Sequence, residues 1–113
     1  MNEYNFKEGK RGAVVRYRDK IDHLVNNERA RQDEKWGVQS WPNGTGKAYE
    51  LTSLTFRKAC DRATELGQTT WSVILLEEVY EALAESGGDS LKTELVQVMA
   101  VCKAWLEDLE KKK

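Results

Sequence analysis

The chain has 113 residues, 40% hydrophobic and 33% charged, with 18 basic and 19 acidic side chains and a formal net charge of −1. That size suits one domain, and that balance excludes a disordered polymer and a chain-wide electrostatic grip on nucleic acid or membrane. One proline, eight glycines and two cysteines without a CxxC pair favour an all-α fold in a reducing, cytoplasmic setting over a sandwich, barrel, zinc site or disulfide framework.

Residues 1–10 are polar and are expected to be flexible; the segment MNEYNFKEGKRG lacks the apolar centre of a signal peptide. No apolar run approaches the ~20 residues a membrane-spanning helix needs. From Ala13 to about Lys35 the spacing of Val14, Tyr17, Ile21, Leu24 and Val25 predicts a first helix with that face buried. The only proline and three glycines then fall within residues 37–46, which predicts a loop over 37–47 of the kind that often carries function.

A second helix is expected from about Tyr49 to Leu66, with Leu51, Leu54, Ala59, Ala63 and Leu66 turned inward and Gly67 as its stop. Thr69 or Thr70 is placed to cap a third helix from Trp71 to Ser86, ended by Gly87 and Gly88. Asp89 or Ser90 is placed to cap a fourth, Leu91 to about Glu110, with Leu91, Leu95, Val98, Cys102, Trp105 and Leu109 at helical spacing. The short connection forces helices three and four into an antiparallel hairpin, in which residues whose numbers sum to about 176 face each other. Glu81 then lies opposite Leu95 and Glu78 opposite Val98.

Within this hairpin, Glu78 and Glu81 share one helix side, as do Glu94 and Gln97, and Glu77 and Glu85 flank them. From Glu77 to Glu94 there are six acidic residues and one basic, Lys92. Gathered carboxylates repel and raise each other's pKa unless a cation neutralises them, and Mg²⁺ takes such oxygen ligands while sharing substrate phosphates. A solvated helix face also carries Glu at this spacing, but it normally intersperses Lys or Arg, and residues 71–86 have neither. Spacing alone leaves these two explanations level.

The stretch WSVILLEEVYEALAE, followed by LKTELVQVMAVCKAWLEDL, resembles the MazG-like all-α nucleoside triphosphate pyrophosphohydrolases, whose signature is an EExxE helix, a short turn and an ExxD helix. Upstream, ERARQDEKWGVQSWPNGTG resembles a segment of short bacterial and phage relatives. The resemblance implies a four-helix core assembled as a homodimer or homotetramer in a bacterial cell or phage-infected host. It also implies Mg²⁺, with Mn²⁺ able to substitute, and cleavage of a nucleoside triphosphate to monophosphate and pyrophosphate. By position, Glu78, Glu81 and Glu94 are the implied catalytic metal ligands, with Glu77 and Glu85 as auxiliary acids. Gln97 stands where the family has Asp; its amide oxygen can coordinate but adds no charge, so a nucleotide-binding or sequestering protein without hydrolysis is the alternative. A helical interaction module with an acidic stripe is a third.

A nucleotide also needs cations and a stacking surface. Arg29 and Arg31 at the end of helix one and Lys47 after the loop flank the irregular segment and are the chosen phosphate contacts among a set that includes Lys35, Arg57, Lys58 and Arg62. Trp41 and Tyr80 are candidate base contacts, whereas Trp36, Trp71 and Trp105 read as packing residues and His23 as a surface residue. Residues 44–47 lack the spacing of a phosphate-binding P-loop and read as a turn.

Overall fold

A computed structural model describes the backbone of residues 8–113 and the side chains from residue 16 onward. Among the described residues the chain is all-helical: α1 (Glu8–Trp36), a 3₁₀ turn (Lys47–Tyr49), α2 (Glu50–Glu65), α3 (Trp71–Leu83) and α4 (Gly88–Lys111), with no strand. Helix α1 begins at Glu8, five residues before the predicted Ala13; the first seven residues of the segment expected to be flexible lie outside the described residues. Lys and Arg propagate a helix without any apolar periodicity, so a hydrophobic pattern marks where a helix is buried and misses where it starts.

The contacts divide the chain into two units, the described part of Met1–Trp41 with Leu106–Lys113, and Pro42–Trp105. In the first unit, Ile21 is 1% exposed, Tyr17 and Val25 are half-buried and Leu24 is exposed, so the expected apolar face is narrower than its spacing implied; the Val14 side chain lies outside the described residues. Polar contacts reinforce Ile21: Arg18 Nε lies 3.3 Å from Glu107 and Lys20 Nζ 2.6 Å from Glu110, joining α1 to the last turns of α4.

In the second unit α2 and α3 are the closely packed pair and run antiparallel, with Phe56 stacked on Tyr80 at 4.9 Å and Cys60 against Glu77. The face of α2 turned to α3 carries Ser53, Phe56 and Cys60 at three- and four-residue steps, and Ser53 and Cys60 are buried. Leu51 is 76% exposed, and Leu54, Ala59 and Leu66 are exposed too, so the inward face predicted for this helix is rotated from the real one. Leucines and small residues occur on different sides of α2, and small side chains let two helix backbones approach most closely. Its end is as expected: Gly67, at φ 67°, donates to the Thr64 carbonyl and Gln68 to the Ala63 carbonyl, closing the left-handed Schellman cap.

Thr70 caps α3 by accepting the Val73 N–H at 3.3 Å. Helix α3 then stops at Leu83, three residues before the predicted Ser86, and the Leu83 carbonyl accepts the Gly46 N–H at 2.8 Å. Gly46 has φ 131° and is buried, so the 37–47 segment enters the second unit through a backbone conformation that a side chain would strain. Helix α4 begins at Gly88 rather than Leu91, and Ser90 donates its hydroxyl to the Gly87 carbonyl instead of capping from outside the helix. The hairpin register is as predicted: Trp71 stacks on Trp105, with ring centroids 6.3 Å apart and 12° between planes.

Candidate metal centre

The site is built first on α3. Glu77, Glu78 and Glu81 lie on neighbouring positions of the helix, all three are half-buried, and one oxygen from each falls within 4.8 Å of the others. Glu77 therefore stands inside the cluster for which its sequence position suggested an auxiliary part. It also accepts a hydrogen bond from Cys60, whose thiol this carboxylate and burial push up to about 11. The thiol is thus engaged with Glu77, and the three clustered side chains offer oxygens alone.

Helix α4 closes the cluster at the predicted level. The Gln97 amide nitrogen, oriented toward its acceptor-only surroundings, donates to Glu78 Oε2 at 3.1 Å and Glu94 Oε2 at 3.2 Å. Glu94 is thus tied to Glu78 through an amide bridge. Burial first, and then the charges of Glu81, Glu77 and Glu94, raise the Glu78 carboxyl above the usual carboxylate range. Burial, Glu77 and Glu94 raise Glu81 likewise, against the opposing pull of Arg57. Arg57, on α2, places Nε 3.5 Å from Glu81 Oε1. Nothing in the α3 pattern singles out Arg57 from Lys58 or Arg62; the signal is tertiary, because the antiparallel α2–α3 packing that sets Phe56 on Tyr80 also sets the next residue beside Glu81.

The other expected residues are distributed differently. Glu85 follows the end of α3, its N–H bonded to the Ala82 carbonyl at 3.1 Å, so it does not continue the helical stripe on which it was placed. Lys47 opens the 3₁₀ turn and is exposed. The Tyr80 ring lies between Phe56 and Tyr49, 4.9 and 6.5 Å away, which makes it part of the packing under the acidic helix.

Arg29, Arg31 and Trp41 belong to the first unit. Arg29 donates to Gln32 and Asp33 at 2.7 and 2.9 Å, and Arg31 donates to Glu28 through two nitrogens. Trp36, expected to close a core, is 52% exposed and Trp41 is 75% exposed. Both line an open concavity of about 560 Å³ with Arg29, Gln32, Asp33 and Val38. The left-handed Gly37 turn ends α1 directly after Trp36, so no further helix covers that indole.

No helix among the described residues is long and apolar enough to cross a membrane. Compared with protein-family models, curated proteins and solved structures, the chain matches none.

Proposed function

We propose that this protein is a Mg²⁺-dependent nucleotide pyrophosphohydrolase of the MazG-like all-α type, acting on a nucleoside triphosphate or a related nucleotide. The observation that carries the reading is the convergence of Glu77, Glu78 and Glu81 within 4.8 Å, with Glu94 tied to Glu78 by Gln97 across the hairpin. Half-buried, oxygen-only donors suit a hard divalent ion, Mg²⁺ or Mn²⁺, better than a thiol- or imidazole-seeking one. When bound, such an ion supplies positive charge to phosphate oxygens and an activated water. Glu78 and Glu81 would hold it and Glu77 would help, while Cys60 orients Glu77 by donating its S–H. Leu51, Leu95, Val96 and Met99, apolar yet exposed on the second unit, support assembly into a homodimer or homotetramer.

A second reading is favoured by one observation. Gln97 stands where the family pattern would place a fourth charged ligand, and its amide adds no charge to the group of Glu78, Glu81 and Glu94. This supports a protein that binds or sequesters a nucleotide without cleaving it. Incubating a panel of nucleoside triphosphates with Mg²⁺, while reading pyrophosphate release and binding heat, separates the two. Release that Glu78→Gln abolishes supports the enzyme, binding without release supports sequestration, and neither signal overturns both.

A further inference from the structure

The acidic cluster carries a counter-cation of its own. Arg57 reaches Glu81 from α2 through Nε at 3.5 Å, and its side chain is 53% exposed while that of Glu81 is 23% exposed. The contact is therefore at the solvent side of the cluster, made by one corner of a five-donor guanidinium whose remaining N–H groups are free for a planar anion. The neighbouring cations differ: Arg62 is paired with Glu65 in its own helix, at 3.5 Å and 70% exposed. Of Glu77, Glu78, Glu81 and Glu94 the guanidinium meets Glu81, so it does not neutralise the group but holds one member of it.

Resting on the metal-site reading above, we propose that Arg57 is an exchangeable counter-ion: it holds Glu81 while no divalent ion is bound, gives that carboxylate up when one is, and then receives the phosphates of the nucleotide. A single side chain would thereby couple metal and nucleotide binding, because the ion frees the Nε corner held by Glu81 and leaves the whole guanidinium to the phosphates. The two roles have opposite signs on two affinities. Loss of Arg57 removes a competitor for Glu81 and a partner for phosphate.

Mn²⁺ binding to the full chain, followed by electron paramagnetic resonance, and binding of a nucleoside triphosphate with a methylene α–β bridge at saturating Mn²⁺, followed by calorimetry, test this directly. Arg57→Gln is expected to tighten Mn²⁺ binding about two- to fivefold, the size of an exposed ion pair. It is expected to weaken the nucleotide analogue about tenfold or more, the size of a charge-assisted hydrogen bond. Arg57→Lys keeps the charge, so it should leave Mn²⁺ affinity near wild type and restore part of the nucleotide affinity. Unchanged or weaker Mn²⁺ binding in Arg57→Gln, with an unchanged thermal midpoint, overturns the proposal and leaves the metal site standing. Wild-type protein that binds no Mn²⁺, or binding that Glu78→Gln does not reduce, overturns the metal site and this proposal with it.

Discussion

Helices α1 and α3 both carry acidic residues at three- and four-residue spacing, yet the two treat them in opposite ways. On α1, Glu28 is paired with Arg31 and Asp33 with Arg29, each within one turn. Side-chain hydrogen bonds from Arg31 and Gln32 hold the Glu28 carboxyl below the usual range. On α3 no basic residue is available, the carboxylates face inward across the hairpin, and Glu78 and Glu81 are held above that range. The same residue type at the same spacing is a solvated face where its counter-charges lie one turn away. It is a strained cluster where they do not.

That contrast is open to direct test. The largest effect lies in the first unit, where burial rests on Ile21: Ile21→Ala should cost about 2–4 kcal/mol by leaving a cavity, read as a lower midpoint in chemical denaturation. A smaller loss would mean that the ion pairs to Glu107 and Glu110 carry this unit.

Next is the response to metal. At ~10 times its dissociation constant, Mg²⁺ should add about 1.4 kcal/mol of stability, or roughly 5 °C in thermal midpoint. The gain should shrink as pH falls toward 5. Glu78 and Glu81 have raised folded pKa values, so the folded state binds more protons than the unfolded chain just above the ordinary carboxyl value of 4.5. Stability of the metal-free protein therefore falls as pH rises from that value through the raised ones, and the ion offsets that loss only when the carboxylates are charged. Glu28 and Glu110, lowered by their partners, work with the opposite sign and lose their contribution as pH falls. A midpoint shift equal at pH 5 and pH 7.5 would contradict the cluster's role.

Glu78→Gln should abolish pyrophosphate release yet stabilise the metal-free protein at pH 7.5 by about 1 kcal/mol, since it removes one repelling charge. The matching change on α1, Glu28→Gln, should destabilise instead, and by less than the Glu78 change gains, because solvent screens its pair with Arg31. The smallest effect is expected for Arg31→Gln, which leaves Glu28 in contact with Gln32 and open to water. Thermal melts of the three variants check the signs; equal signs for the two glutamates would erase the distinction between the helices.

Much of the hairpin could be read in advance. The Thr70 cap, the Gly67 stop and the register that sets Trp71 on Trp105 and Gln97 beside Glu78 are local or nearly local facts, fixed by short-range hydrogen bonds and a connection too short to allow another pairing. The inner face of α2 could not be read. Leu51, Leu54 and Leu66 fit a helical stripe as well as Ser53, Phe56 and Cys60 do, and α3 packs on the second set. Nor did the α3 stripe reveal its own end, because the Leu83 carbonyl is taken by Gly46 from 37 residues upstream.

By itself, then, the amino-acid sequence determined that the chain is helical, where α2 and α3 are capped or stopped, and that acidic side chains collect without local counter-charges on α3. Tertiary structure alone decided that Arg57 answers Glu81 and that Cys60 answers Glu77. The reason is geometric. Periodicity assigns an angle to each residue around its own helix axis, but the rotation of one helix against the next depends on how side-chain volumes fit, and that is a property of the pair.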